Sequence, residues 1–316
     1  MSNMQLVAVT QENIAPYVAF RMEVADEEGR RYYQTIDLAA AILTQGSDYA
    51  LEDEHGKLQA AVTIRRNETR DGSLLVMISV EGKDKTPETN ARLLREVLAT
   101  ENGNVATLDT RYNVYNPPEM TLPAAKMAEM GFTEIPGTYR YKREPGPPRS
   151  GEFPHADQAV ERGYKTLVID DAYVASDPEI FTKLADIFNR AFSNRDSVTP
   201  STPERMRKSY ETDANDIIIA KLGDDVTGSI TLSYLGDSVL SPQYNCMRRH
   251  WGTGSVDLMC RHLAQLVADR WNVPIIGYAE ARNAASWKAL ERFGLTRVEE
   301  LMIWERHVPT GKTFTL

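Results

Sequence analysis

The chain has 316 residues, of which 42% are hydrophobic and 26% charged, and its formal net charge is −9. This length predicts two domains, and the composition excludes collagen-like, low-complexity and disordered classes. Residues 1–150 carry 17 basic and 22 acidic side chains and the rest carry 19 and 23, so we expect no nucleic-acid partner. Because no apolar run reaches ~18–20 residues and only two cysteines are present, we expect a cytoplasmic protein without a membrane partner.

The first half alternates between strand and helix patterns. Apolar periodicity and turn residues predict, in chain order, a strand at 6–10, helices at 14–23 and 38–43, strands at 49–51, 58–65 and 73–80, a helix at 89–99, a strand at 105–110, a helix at 122–130 and a strand at 138–142. This order is typical of an α/β domain.

A proline- and glycine-rich segment lies near the middle of the chain. Residues 143–154 contain four prolines and two glycines, which cannot continue a helix or a central strand. We therefore predict a first domain at 1–143, a linker at 144–158 and a second domain at 159–316.

The second half repeats the pattern of the first. Its predicted elements are a strand at 165–169, helices at 178–192 and 203–211, strands at 217–222, 228–234 and 239–247, a helix at 254–270, a strand at 274–281, a helix at 284–293 and a strand at 298–306. The repetition predicts an α/β (α+β) fold of two tandem domains, each a mixed twisted sheet flanked by about four helices.

A glycine-containing loop precedes the long helix of the second half. It has the pattern Arg249-x-x-Gly252-x-Gly254 and follows the fourth predicted strand. Glycines let the backbone approach a ligand closely, and a helix N-terminus offers unpaired N–H groups and partial positive charge. In this position the pattern predicts a site for a pyrophosphate.

A second pattern follows further along the chain. Asn283 and Ser286 are followed by Leu290 and by a Phe-Gly-Leu run centred on Gly294. Together the two patterns resemble the signatures of the GNAT superfamily of acyl-CoA-dependent N-acyltransferases, over about residues 160–308. The resemblance implies acetyl-CoA as the acyl-donor cosubstrate. The implied cofactor-binding residues are Met247, Arg248, Arg249, His250, Trp251, Gly252, Thr253, Gly254, Ser255, Asn283 and Ser286.

The corresponding loop of the first half lacks this pattern. Residues 81–88 contain one glycine and three acidic against two basic side chains, which suits a pyrophosphate poorly. We therefore expect the first domain to be a degenerate member of the same fold, with one acetyl-CoA site per chain in the second domain.

The residues that usually move protons in this family are absent. The position of the usual tyrosine holds Leu290, and the fourth strand carries no carboxylate. Glu280 and Tyr244 are the candidate catalytic residues, although Glu280 also fits a strand-end ion pair with Arg282 and Tyr244 a packed sheet residue. We expect His250 to face solvent.

Two functions remain open at this point. The first is an N-acetyltransferase that acts by direct attack of a small-molecule primary amine, with Arg195 and Asp196 as candidate substrate-binding residues. The second is an acyl-CoA-binding regulatory or scaffold protein with little turnover. Transfer of an aminoacyl group from tRNA is disfavoured by the acidic charge. We expect no metal site and a monomer or homodimer.

Overall fold

The chain folds into two compact units. The computed structural model describes residues 4–69, 72–115, 122–193, 200–212 and 214–316. Unit 1 contains the described residues up to Gly137 together with Leu301–Leu316, and unit 2 contains the described residues between Thr138 and Glu300.

Unit 1 contains five α-helices among its described residues. Its elements are β1 (Gln5–Ala8), α1 (Ile14–Val24), α2 (Glu27–Gln34), α3 (Leu38–Gln45), β2 (Asp48–Glu52), β3 (Leu58–Glu68), β4 (Leu74–Gly82), α4 (Pro87–Ala99), β5 (Thr110–Tyr115), α5 (Ala124–Glu129) and the first part of β6 (Thr133–Arg143). Asp26, Asp37 and Thr86 begin α2, α3 and α4 by accepting a hydrogen bond from the backbone N–H three residues later. Such caps satisfy N–H groups that have no partner within a helix.

The sheet of unit 1 has the order β1-β2-β3-β4-β5, and the second part of β12 (Thr296–Val308) completes it beside β5. All neighbouring strands are antiparallel except β4 and β5, which are parallel. Helices α1 and α3 pack on one face around Tyr17 and Phe20, and α4 and α5 pack on the other around Leu94 and Met127.

Unit 2 repeats this order with additional short helices. Its elements are the second part of β6, α6 (Ala156–Glu161), β7 (Tyr164–Val168), α7 (Asp171–Ser176), α8 (Ile180–Ala191), α9 (Pro203–Tyr210), β8 (Asn215–Leu222), β9 (Asp225–Tyr234), β10 (Val239–Cys246), α10 (Ser255–Arg270), β11 (Ile275–Glu280), α11 (Ala284–Arg292) and the first part of β12. The short helices α2, α6 and α7 have no counterpart in the sequence prediction because they lack an extended apolar periodicity.

The sheet of unit 2 has the order β7-β8-β9-β10-β11, and β6 completes it beside β11. Again one pair, β10 and β11, is parallel. Helices α10 and α11 cover one face around Met259 and Phe293, whereas α8 covers the other around Ile180 and Leu184. The predicted tandem α/β arrangement is therefore confirmed.

One predicted strand of unit 1 was wrong. The strand expected at 105–110 lies instead at Thr110–Tyr115, and Val105 forms an isolated bridge with Thr313. The side chains of Tyr112 and Val114 are buried against α4, whereas Val105 is 59% exposed. The period-two alternation of residues 110–115, with Tyr112 and Val114 on one face and Arg111 and Asn113 on the other, was the signal for this strand.

The compact units do not coincide with the domains proposed at 1–143 and 159–316. The strands at 138–142 and 301–305 both form, but each belongs to the unit built mainly from the other half of the chain. The proposed boundary at 144–158 therefore stays a prediction about where two sequence repeats meet.

The proline-rich segment after β6 is folded onto unit 2. The guanidinium of Arg143 donates hydrogen bonds to the backbone carbonyls of Glu144, Gly146 and Pro147 and to the carboxylate of Glu152, at 2.8–3.3 Å. The side chains of Arg143 and Glu152 are only 3% and 9% exposed. The buried guanidinium of Arg143 thus binds the carbonyl groups of a segment that the prolines keep out of regular structure.

We expect Glu152→Ala to lower the free energy of unfolding by about 3–5 kcal/mol, because it leaves the buried charge of Arg143 without its anion. Glu144→Ala is the matched control, since Glu144 pairs at 3.0 Å with Lys142 while 62% exposed, and such surface pairs contribute about 0–1 kcal/mol. Urea unfolding of the two variants tests this expectation. Equal losses would contradict a specific role for the buried pair.

Candidate functional site

The parallel strands β10 and β11 separate soon after they begin. Their backbone pairing consists of Val239 with Ile275 and Leu240 with Ile276. A bulge in the pairing of β10 with β9 follows immediately after Leu240. Beyond that point β10 continues beside β9 and β11 continues beside β6. The sheet of unit 2 therefore opens between its fourth and fifth strands.

The equivalent strands of unit 1 stay together. Parallel β4 and β5 pair over six consecutive positions, from Leu74 with Thr110 to Ser79 with Tyr115. The opening is thus a property of unit 2 and is not shared by the corresponding strands of unit 1.

The loop from β10 to α10 begins where this opening ends. A short 3₁₀ turn over Arg248–His250 follows β10, and both glycines then adopt positive φ angles, 73° at Gly252 and 86° at Gly254. Gly254 precedes the first residue of α10 and offers no side chain to cap the helix. The first turn of α10 consequently retains backbone N–H groups that its own helix cannot satisfy.

His250 holds this loop against β7, and our expectation that it faces solvent was wrong. The ring is 8% exposed, its Nδ1 lies 2.7 Å from the hydroxyl of Tyr164, and its Nε2 accepts a hydrogen bond from Arg249 at 3.0 Å. Burial, with the neighbouring charge of Arg249, holds the pKa of His250 below its ordinary value. The neutral ring is therefore favoured, with Nε2 as acceptor and Nδ1 as donor.

The two loop glycines differ in their surroundings. At Gly252 nothing lies within 4 Å of the place that a Cβ would take, and the residue is exposed. At Gly254 a Cβ would overlap the backbone oxygen of His155. Ser255 has no exposed surface, and Asp257 in the first turn accepts hydrogen bonds from the N–H of His155 and from Arg292.

The segment that precedes α6 therefore covers part of the N-terminus of α10. Gly254 is required here by packing within unit 2, whereas Gly252 keeps open space beside its backbone. The sequence pattern identified both glycines as loop residues but did not show that one is packed and the other open. Residues 143–155 carry no motif that would place them beside α10.

The exposed part of the loop is basic and aromatic. Arg248 lies over the ring of Trp251 at 5.8 Å, and the indole N–H of Trp251 donates to the carbonyl of Cys246 at 3.1 Å. Trp251 is 58% exposed. The hydroxyl of Thr253 donates to the carbonyl of His250 at 2.7 Å. These contacts fix the backbone of an exposed turn that presents two arginines.

Three predicted residues, one from β10 and two from the start of α11, meet beside the opening. The hydroxyl of Tyr244 on β10 lies 3.0 Å from the hydroxyl of Ser286 and donates to its carbonyl oxygen. Asn283 begins α11 and its side-chain oxygen accepts from the N–H of Ser286 at 3.3 Å. Tyr244 therefore links β10 to the first turn of α11 on the face that α10 and α11 cover.

Glu280 lies on the other face of the sheet. Its neighbour Ala279 packs into the core beneath α10 and α11, and consecutive side chains of a strand point to opposite faces. The two candidate catalytic residues, Glu280 and Tyr244, are therefore separated by the sheet and do not form one acid–base pair. Glu280 is half-buried at the end of β11.

The leucine at the usual tyrosine position and the cysteine at the end of β10 are both part of the core. Leu290 is 5% exposed and packs beside Gly277, and Cys246 is 6% exposed with its sulfur 3.5 Å from the hydroxyl of Ser255. Burial raises the pKa of the Cys246 thiol, which makes it a poor nucleophile. The predicted substrate-binding residues Arg195 and Asp196 lie outside the described residues.

In unit 1 the loop between β4 and α4 is filled by its own side chains. The carboxylate of Asp84 accepts from the hydroxyl of Thr89 at 2.7 Å and from the N–H of Thr86 at 3.1 Å, and the hydrogen bond from Thr89 lowers the pKa of Asp84. An open cavity of about 440 Å³ lies beside this loop. Its charged walls pair with each other, for example Lys83 with Glu23 at 2.6 Å.

The described part of the chain holds neither a metal-binding cluster nor a membrane-spanning helix. No group of three or more His, Cys, Asp or Glu side chains could hold a metal ion in that part of the chain. Across the same ranges, none of the helices combines the length and the apolar character that crossing a bilayer requires.

Comparisons with known proteins identify the fold. No protein-family model matches the sequence, and no curated protein does. A GCN5-related N-acetyltransferase from Sphaerobacter thermophilus is 13% identical, with a TM-score of 0.53 over 99% of this chain and 98% of that one. A tandem GNAT protein from the clavulanic acid biosynthesis pathway is also 13% identical, with a TM-score of 0.51 over 96% and 98%.

A third solved structure has a different description. The C-terminal domain of a putative lysylphosphatidylglycerol synthetase from Agrobacterium fabrum is 10% identical, with a TM-score of 0.52 over 95% of this chain and 92% of that domain. At these identities the likeness concerns the fold. The chain has the fold of the GCN5-related N-acetyltransferases in its tandem, two-unit form.

Proposed function

We propose that the protein is an N-acetyltransferase that transfers an acetyl group from acetyl-CoA to a primary amine of a small molecule, with the reaction in unit 2. One observation carries this proposal: the opening between β10 and β11 leads directly into a glycine-containing loop and the N-terminus of α10. An extended thioester-bearing arm fits such an opening, and a diphosphate fits the loop. Unit 1 has neither feature.

The exposed side of the loop supports the binding of acyl-CoA. Gly252 leaves room for close approach of a phosphate to the backbone, and the exposed Arg248 and Arg249 supply positive charge. Asn283 and Ser286 stand beside the opening, where the pantetheine arm would pass. Gly254 and Ser255 would contact the cosubstrate directly only if the segment around His155 moved.

The chemistry requires little acid–base catalysis from the protein. The nitrogen of a neutral amine attacks the thioester carbonyl carbon, an amide bond forms, and the bond between that carbon and sulfur breaks. Coenzyme A leaves as a thiolate, and the excess proton on nitrogen passes to water. A thiol of pKa about 8.5 leaves readily at neutral pH. We propose that the amine binds on the α8 face of the sheet, and Glu280 is the carboxylate that we assign to that side.

The structural neighbours are consistent with this class of reaction. Two of those described above are an N-acetyltransferase and a tandem GNAT protein, and the third comes from a lysylphosphatidylglycerol synthetase. An acyl-CoA-binding protein without turnover remains the second candidate, because Leu290 and β10 supply no proton donor or acceptor of the usual kind.

A single experiment separates these candidates. Calorimetry with acetyl-CoA is combined with a thiol-release assay over benzylamine, spermidine, L-lysine and glucosamine. Binding at one site per chain with release dependent on an amine supports the transferase. Binding without release supports the regulatory protein, and absence of binding overturns both proposals.

Gly252→Asp tests the loop. The side chain enters open space, so we expect the fold to remain intact, but its negative charge opposes a phosphate and should weaken acetyl-CoA binding at least tenfold, or about 1.4 kcal/mol. Gly236→Asp is the control, because Gly236 also has a positive φ and nothing within 4 Å of its Cβ position. Equal affinity of the two variants in calorimetry would mean that the loop is only a turn.

Gly254→Ala is expected to behave differently from Gly252→Asp. Its Cβ would overlap the carbonyl oxygen of His155, so its main effect should be a lower melting temperature. A variant that melts like wild type would show that the segment around His155 is easily displaced.

The pH dependence of stability tests the role of His250. Because its pKa is lowered in the folded protein, the unfolded chain binds a proton more readily. The contribution of neutral His250 to the free energy of unfolding is therefore complete above about pH 6.5 and is lost as the pH falls through the lowered pKa. His250→Gln keeps a donor and an acceptor for Tyr164 and Arg249 but does not titrate. We expect urea unfolding between about pH 7 and pH 5 to show a steeper loss for wild type. Parallel curves would contradict a neutral, buried His250.

Leu290→Tyr tests whether a proton donor is needed. Since a thiolate is an adequate leaving group, we expect the rate of amine acetylation to match that of Leu290→Phe, which adds the same bulk without a hydroxyl. Both variants should lie within about tenfold of wild type, or about 1.4 kcal/mol. A tyrosine variant at least tenfold faster than the phenylalanine variant would show that thiolate departure limits the rate.

A further inference from the structure

The face of the unit 2 sheet beneath α8 changes from apolar to polar at its centre. On β8 this face carries Ile217 and Ile219, which pack against α8. On the adjoining strands it carries Ser229, Ser233 and Asn245, which are 3%, 4% and 2% exposed. Buried polar side chains in a sheet core are costly unless they have hydrogen-bond partners.

Two of these side chains differ in how well they are satisfied. The hydroxyl of Ser233 donates to the side-chain oxygen of Asn215 at 2.5 Å. The amide nitrogen of Asn245 reaches the hydroxyl of Ser229 only at 3.4 Å, and its side-chain oxygen has no hydrogen-bond partner among the described residues. The side-chain oxygen of Asn245 is thus a buried hydrogen-bond acceptor without a donor.

Asn245 lies on the part of β10 that borders the opening. It lies on β10 beyond Leu240, where the strand has already left β11. Its neighbour Tyr244 contacts α11 on the opposite face, and alternation along the strand turns Asn245 toward α8. Helix α8 packs against both β9 and β10. The unpartnered oxygen therefore lies on the side of the sheet away from α10 and α11.

We propose that the side-chain oxygen of Asn245 accepts an N–H hydrogen bond from the acceptor amine and so orients its lone pair toward the thioester. The inference rests on the proposed transferase function and names the side from which the amine approaches. An amide oxygen does not take a proton at neutral pH, so Asn245 binds the neutral amine and does not act as a base. Ser229 holds the amide from its nitrogen side.

Asn245→Leu tests this assignment, because it keeps the branched shape and removes both polar atoms. We expect kcat/KM for the most active amine of the panel, from benzylamine, spermidine, L-lysine and glucosamine, to fall at least tenfold. The dissociation constant of acetyl-CoA should remain within twofold of wild type. Ser233→Ala, on the same face but with its hydroxyl satisfied by Asn215, should retain its kcat/KM within about threefold.

Stability provides a readout that does not depend on the amine. Removing an unsatisfied buried oxygen should leave the melting temperature of Asn245→Leu at or above that of wild type. A fall of more than about 3 °C would show that Asn245 is a structural residue and would overturn the inference, as would unchanged kcat/KM in a variant that binds acetyl-CoA. Absence of acetyl-CoA binding in wild type would instead overturn the proposed function.

Discussion

The hydrogen bonds between β10 and β11 end after two residue pairs, and the arrangement of unit 2 around its proposed site follows from that ending. Had the strands stayed paired, as β4 and β5 do, the sheet would be closed at the place where we propose that a thioester meets an amine. The bulge in β10 redirects the strand, which is a common role of bulges beside functional sites. It brings Tyr244 to α11 and leaves Asn245 on the opposite face.

Part of the N-terminus of α10, where we propose that a ligand binds, is already in contact with another segment of the chain. Arg143 and Glu152 hold the proline-rich segment, and that segment places His155 against Gly254 and Asp257. The carboxylate of Asp257 already lies where the helix carries partial positive charge. An anionic ligand must therefore be bound chiefly by the exposed turn, in which neutral His250 and Thr253 fix the backbone and two arginines supply charge.

Much of the fold followed from the sequence, because apolar periodicity located most strands and all the long helices. The loop between β10 and α10 also followed, since glycine and helix-start signals are local. The strand at Thr110–Tyr115 was missed although its local alternation signals it. The buried state of His250 and the contact of His155 with Gly254 did not follow from the sequence. Each depends on a partner distant in the chain, such as Tyr164 for His250, and a single sequence carries no record of such pairings.

The division of the last strands has a consequence for how the protein is made. His307 in β12 lies against Asp109 at the start of β5, and 198 residues separate them. During synthesis the sheet of unit 1 must wait for the second part of β12, whereas all strands of unit 2 except the first part of β12 lie within residues 138–280. Long-range pairing slows folding and leaves strand edges exposed meanwhile. The second unit is thus able to assemble most of its strands before the first unit receives its last one, in the reverse of the order of translation.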